Sequence, residues 1–476
     1  MTLWDDLVAA ATVGTERRSF DYDRLRPLAG EELPAVAGAE GQVLAAAAIV
    51  DNYRRAGRRP DRPACSGTAG QVLAVLLAGM VPVAGGSEAM IEAWLSACAR
   101  AGQRPPDRLL TALLDLGASS PRLRPAVAAA AGARGEWLGR ANPDWSWAAG
   151  PSPPADASAG WATATTADRA HLLTSLREGG DRAAALTLLR STWAAEAAAD
   201  RAHLLAALGA GLADDDEPFL EEALDDRAAS VRAAAAGLLD RLPRSRRAAR
   251  MADRARALVA AEGRRRRRVT ARPPEMLDAS ARRDGVTDAR AAGTGLHAAW
   301  LQRIVAATPL DVWEPHLGMP PTEAVAGAAA GSPDVLAGWE QAALAQRDER
   351  WARALLDHHP SPALVDVLSP PHARRYAADC LRRAVPPDAR FFDALAAPGP
   401  WDTALSALAV ERARAAPPAA LPRIVPLLAW RLDTAVLPGV EAWIEALPAR
   451  EERARGEVRA LAHALSIRAT IAQELT

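Results

Sequence analysis

Residues 224–243 read LDDRAASVRAAAAGLLDRLP, and their reading decides the fold class. Asp225 and Asp226 are placed to begin a helix, Val231 and Arg232 follow, and Ala235, Leu238, Leu239 and Leu242 recur at helical spacing to make one apolar face. The same period extends upstream, where DRAHLL occurs at Asp168–Leu173 and again at Asp200–Leu205. An offset of 32 residues suits a repeated helix–turn–helix unit, which cannot bury its apolar face alone and must stack on a copy of itself.

Most of the remaining chain carries helical periodicity. Leu3, Trp4, Leu7, Val8 and Ala11 form a stripe that stops at Gly14, and Ile91, Trp94, Leu95 and Cys98 form another, begun by Ser87 as cap and ended at Gly102. Further helices are predicted over Gly41–Ala56, Gly70–Gly79, Pro106–Gly117 and Arg122–Leu138. No alternating run is long enough to predict a strand. Residues 141–166 are rich in Pro, Gly and Ser and read as a linker, with Trp145, Trp147 and Trp161 placed to pin part of it to a neighbour. Beyond Thr294 the chain reads as short helices broken by prolines at N1 positions and tight connections. The expected organisation is therefore a helical domain over 1–140, a linker over 141–166, repeats over 167–262, an Arg-rich connector over 263–293 and helical pairs over 294–476.

Composition agrees with an all-α fold and limits the chemistry. Half of the 476 residues are hydrophobic, yet only 4% are aromatic, 14 of them Trp. A chain dominated by Ala and Leu and poor in β-branched and ring residues favours helix over sheet. All 57 basic residues are Arg, as GC-rich coding would give. A Walker A loop, a kinase-type ATP lysine and a pyridoxal Schiff base are thereby excluded. The net charge of −1 points to neither nucleic acid nor membrane. Cys65, Cys98 and Cys380 are far apart in sequence and form no CxxC pair, which implies a reducing compartment and no zinc site. The opening MTLWDDLVAA has two acids and no basic segment before its apolar run, and no apolar stretch is long enough to span a bilayer, so a cytoplasmic location is expected.

The segment 224–243 resembles a HEAT repeat, whose second helix carries Asp, then Val-Arg, then small and leucine residues. The resemblance implies an α-solenoid in which Asp225, Asp226 and Arg232 are structural rungs. Four phrases together, WDDLVAAATVGTERR (Trp4–Arg18), ARGEWLGRANPDW (Ala133–Trp145), RLPRSRRAARMADRA (Arg241–Ala255) and TGLHAAWLQRIVAATPLDVW (Thr294–Trp313), are similar to an uncharacterised bacterial family of helical-repeat character. Members are often encoded beside a MoxR-type AAA ATPase, a von Willebrand A-domain protein and a SWIM zinc-finger protein. That resemblance implies a part in such a multi-protein system and carries over no functional residue.

Candidate chemistry is sparse. The run Arg264, Arg265, Arg266, Arg267 and Arg268 could contact phosphates, though it lacks interleaved aromatics for base stacking; equally, it could be a solvated loop or pair with the acids between Asp214 and Asp226. Those acids lack the alternating spacing and central Gly of a calcium loop and suit a helix start. His171 and His203 occupy equivalent repeat positions, which duplication explains without a metal, and His358 and His359, as neighbours on a helix, diverge too far to chelate. The tryptophans at helical spacing, Trp94, Trp300, Trp313, Trp339, Trp351, Trp430 and Trp443, read as core anchors. No nucleophile elbow, zincin or dinucleotide motif is present, and no catalytic residue, cofactor or metal is expected. The expectation is a non-enzymatic scaffold that binds protein partners; the alternative is a nucleic-acid binder using the Arg run.

Overall fold

The computed structural model of the chain describes residues 3–26, 33, 36–55, 64–65, 67–79, 84, 86–149, 160–263, 267–329 and 331–475. Helices make up most of this length, and the chain divides into two compact units, residues 1–152 with 455–476, and residues 153–454.

In the first unit, α1 (Leu3–Val13) packs on α2 (Ala39–Arg55), closing Leu7, Ala10, Leu25, Val43, Ala46 and Val50 into a core. Four more helices follow: α3 (Gly67–Leu77), α4 (Ser87–Arg100), α5 (Asp107–Ser119) and α6 (Arg124–Ala141). Helix α4 buries the expected stripe Ile91, Trp94, Leu95 and Cys98 between α3 and α6, and the Trp94 indole donates to the Ala69 carbonyl at 2.9 Å. Its cap position falls on Gly86, one residue before the expected Ser87, while Gly102 ends it with φ +66°, a conformation that favours glycine. Trp145 donates to Asp115 at 2.9 Å, which ties the start of the Pro/Gly/Ser-rich stretch to α5; residues 150–159 lie outside the described chain. The last helix, Glu452–Glu474, belongs to this unit from Arg455 onward.

The second unit opens with α7 (Thr166–Glu178), α8 (Arg182–Thr192), α9 (Ala198–Ala207), α10 (Glu217–Ala223) and α11 (Ala229–Leu239). Helix α7 packs on α8 and α9, and α9 packs on α11, with Leu173, Leu189, Leu205, Val231 and Leu239 in one continuous core. The predicted face Ala235, Leu238, Leu239 and Leu242 is buried. Asp225 and Asp226 do not begin a helix as expected; they lie in the turn between α10 and α11, because Asp226 is used to accept from the Ala228 backbone at 2.8 Å and to pair with Arg201.

Helix α12 (Arg246–Leu258) leads into two strands that periodicity did not predict, β1 (Val259–Glu262) and β2 (Arg268–Ala271). They pair antiparallel with Val259 opposite Ala271 and Glu262 opposite Arg268. Each strand has four residues, too few for alternation to register, and side chains of the surrounding helices complete it: Ser332 donates to the Val269 carbonyl at 2.8 Å, and His316 Nε2 lies 2.8 Å from the Val259 carbonyl.

After the short helix α13 (Ala279–Arg283), the unit continues through α14 (Leu296–Ala306), α15 (Trp313–Leu317), α16 (Pro321–Ala329), α17 (Pro333–Gln346), α18 (Glu349–Leu356), α19 (Pro362–Val365), α20 (Pro370–Arg383), α21 (Ala389–Ala396) and α22 (Thr403–Arg414). Prolines stand at the first helical position of α16, α17, α19 and α20, where a missing N–H costs nothing. Trp313, Trp339 and Trp351 form a buried chain of rings, with centroids 5.6 and 4.9 Å apart. Trp94, Trp300 and Trp443 are also buried, Trp430 is partly so, and Trp137 is the exposed one among the described tryptophans.

Candidate functional site

Helices α18 and α20 present amphipathic faces whose polar sides meet a common groove in the second unit. In α18 the Asp348 cap accepts from the Trp351 backbone at 3.0 Å, and Trp351, Ala352, Leu355 and Leu356 turn inward. That phase leaves Arg350, Arg353 and then Asp357 outward at intervals of three and four residues. In α20 Ala373, Ala377 and Leu381 are buried at four-residue spacing, so His372, Arg375, Tyr376, Asp379 and Arg383 project the other way. With Pro321 and Thr322 these side chains, Arg383 excepted, line an open groove of about 420 Å³. It continues into a recess of about 210 Å³ that adds His358, Cys380, Arg383, Arg390 and Asp393.

Five arginines therefore face three aspartates. Arg350 is paired to Glu314 at 2.9 Å and Asp379 to Arg382 at 2.7 Å. Among the described residues no carboxylate pairs with Arg353, Arg375, Arg383 or Arg390, so four guanidiniums with bidentate donor geometry, from α18, α20 and α21, line the groove and its recess. Deeper in the recess, burial pushes the Tyr376 phenol up, and it likewise raises the Cys380 thiol with help from the nearby Asp393 charge. Burial also raises the Asp393 carboxyl, whose buried Oδ2 has no hydrogen-bond partner.

A serine, a histidine and a glutamate meet at the groove edge without forming a proton relay. Ser369 donates to Glu349 at 2.8 Å and lies 3.0 Å from His372 Nδ1, and the same Nδ1 contacts Glu349. A relay needs the acid and the hydroxyl on opposite ring nitrogens; here both sit on one. Ser369 stands at the cap of α20 and its proton goes to the carboxylate, which the hydrogen bond holds below the usual carboxylate range. The three groups clamp the start of α20 to the start of α18.

Of the arginine run, Arg264, Arg265 and Arg266 lie outside the described residues. Arg267 donates to the Gly318 carbonyl at 2.7 Å, and Arg268 opens β2 opposite Glu262. Four of the acids between Asp214 and Asp226 pair with arginines outside the run: Arg177 holds Asp216, Arg201 holds Asp226, Arg250 holds Glu221 and Arg283 holds Asp225. His171 and His203 are exposed, and His358 and His359 follow the end of α18 instead of lying on it, with His359 Nε2 3.2 Å from Glu340. No group of three or more His, Cys, Asp or Glu is arranged to hold a metal ion among the described residues.

The fold and the groove define a mostly α-helical protein with an arginine-rich groove in its second unit. Residues 6–475 match a family of unknown function (DUF5691), and the chain belongs to that family. No curated protein and no solved structure matches it. No helix among the described residues is long and apolar enough to cross a membrane.

Runs and motifs do not mark the groove residues, since the groove arginines are spread over residues 350–390 and no two of them are adjacent. The signal that would have found them is helical phase: Arg350, Arg353 and Asp357 at i, i+3 and i+7, then His372, Arg375, Asp379 and Arg383 at i, i+3, i+7 and i+11.

Proposed function

We propose that the protein is a cytoplasmic, non-enzymatic adaptor that stacks HEAT-like helix pairs and holds an acidic segment of a partner protein on the groove between α18 and α20. The observation that carries this reading is the set of four guanidiniums without carboxylate partners that line the open groove and its recess. Arginines without carboxylate partners, carried on helices, favour carboxylates, which they grip bidentately. Asp357 and Asp379 line the same groove; that suits a peptide carrying both signs of charge better than a uniformly anionic nucleic-acid backbone, so the groove favours the protein-binding reading over the nucleic-acid one. The family resemblance supplies natural partners, the AAA ATPase and the von Willebrand A-domain protein. Co-purification from the native cell tests the proposal. The wild-type chain should bring down a partner at low salt, and R353E/R375E should lose it; a chain that elutes alone at low salt, or a partner indifferent to the double substitution, overturns it.

A further inference from the structure

We propose that His372 is a further contact of the groove, switched on by protonation: a partner's carboxylate binds its Nε2 when the ring carries a second proton. The inference rests on the reading of the groove as a receptor for an acidic segment, and it adds how that binding is regulated. His372 lines the groove from the first turn of α20, and 38% of its side chain is exposed. Two oxygens meet its Nδ1, that of Ser369 at 3.0 Å and one of Glu349. Ser369 spends its hydroxyl proton on Glu349 at 2.8 Å, and Glu349, held below the usual carboxylate range by that bond, is ionised and only accepts. Neither oxygen therefore brings Nδ1 a proton, so Nδ1 carries the hydrogen itself. In the neutral ring Nε2 is then left with a bare lone pair. Among the described residues Nε2 has no hydrogen-bond partner.

That arrangement sets the sign of the effect. A lone pair on Nε2 repels a carboxylate placed against it, whereas an imidazolium N–H donates to it with charge assistance. Glu349 holds the ring's orientation from the other nitrogen, which makes it a positioning residue and His372 the contact. Around the ring lie Arg350, Arg353 and Asp357 from α18 and Arg375, Tyr376 and Asp379 from α20. Helix α16 brings Pro321 and Thr322, which carry no charge, and α21 and α22, which also pack on α20, bring no lining residue to this groove. Of the side-chain types present, imidazole is the one that ordinarily changes charge between about pH 5 and 8. Lowering the pH across that range adds one cation to the groove and tightens its hold on a carboxylate-rich segment.

Titration of a labelled Glu-rich peptide with the full chain, at about 50 mM salt and from about pH 8 to about pH 5.5, tests this; over that span the peptide's own carboxylates stay largely ionised. Affinity should rise about tenfold toward the acid end, the scale of one added charge-assisted hydrogen bond. H372N and H372Q, which keep an N–H for Glu349 but take up no proton, should bind with a flat profile. H358N, altered in the neighbouring recess, should keep the wild-type rise. Calorimetry of the wild-type chain in two buffers of different ionisation enthalpy, at about pH 6.5, should show proton uptake on binding. A flat wild-type profile, no proton uptake, a rise that survives in both His372 variants, or a rise that H358N abolishes overturns this inference alone and leaves the groove reading standing. A peptide that binds at no pH overturns that reading, and this inference with it. The wild-type profile and proton uptake decide the matter if the His372 variants fail to fold.

Discussion

Arg169 and Arg201 stand at the same place in the two copies of DRAHLL, and each does the same work. Arg169 lies over the Trp161 ring and pairs with Glu196; Arg201 lies over the Trp193 ring and holds Asp226 at 2.9 Å. A residue at this scale is legible once its repeat is seen, because duplication predicts the role of the second copy from the first. Arg177 was not legible, since its partner Asp216 is 39 positions away and the pair is almost fully buried, with side chains 0% and 4% exposed. Removing one member of such a pair strands the other's charge, so R177A should cost about 3–5 kcal/mol in urea unfolding. R244A, which breaks an exposed pair with Asp214, should change stability by less than about 1 kcal/mol. Equal effects of the two would contradict the assignment.

Asp284 gives a pH prediction at the same scale. Burial pushes its carboxyl up, but hydrogen bonds from Arg250 at 2.6 Å and Arg254 at 2.7 Å prevail and hold it below its ordinary value. A group depressed in the folded state stabilises above its unfolded pKa, about 3.9 for Asp, and loses that contribution as pH falls through the folded value. The urea midpoint should therefore be independent of this group between pH 7 and 5 and fall below about pH 4. In D284N the fall should be shallower; an identical acid slope would show that Asp284 does not carry it.

Among elements, the helices were legible and the hairpin was not. Amphipathic phase and prolines located the helices to within a few residues, whereas VAAE and RVTA are too short and too rich in Ala and Arg to announce strands. Their order comes from contact across the sequence, with Val259 and Val269 buried and β2 lying against α16. Gly327 permits that approach, for a Cβ there would stand 3.1 Å from the Arg267 carbonyl and 3.3 Å from the Val269 N. G327L should push β2 off α16, cost about 1–3 kcal/mol and speed amide exchange across residues 259–271. Unchanged protection would mean that the hairpin does not depend on this contact.

For the whole molecule, local pattern carried the helical class but not which distant helices share a unit. Nothing in residues 452–474 marks them as companions of the N-terminal helices, because their stripe fits any apolar partner. The groove lies between these extremes: its residues are in phase on two helices, yet they line one space only once α18 and α20 are packed into the second unit. The central proposal is that these arginines receive carboxylates. The most direct measurement is the fluorescence anisotropy of a labelled Glu-rich peptide titrated with the full chain at about 50 and 300 mM salt. Saturable binding should weaken steeply with salt and fall about tenfold or more in R353E/R375E, equivalent to at least about 1.4 kcal/mol. Binding that is absent at low salt, or that is untouched by the double charge reversal, would contradict it.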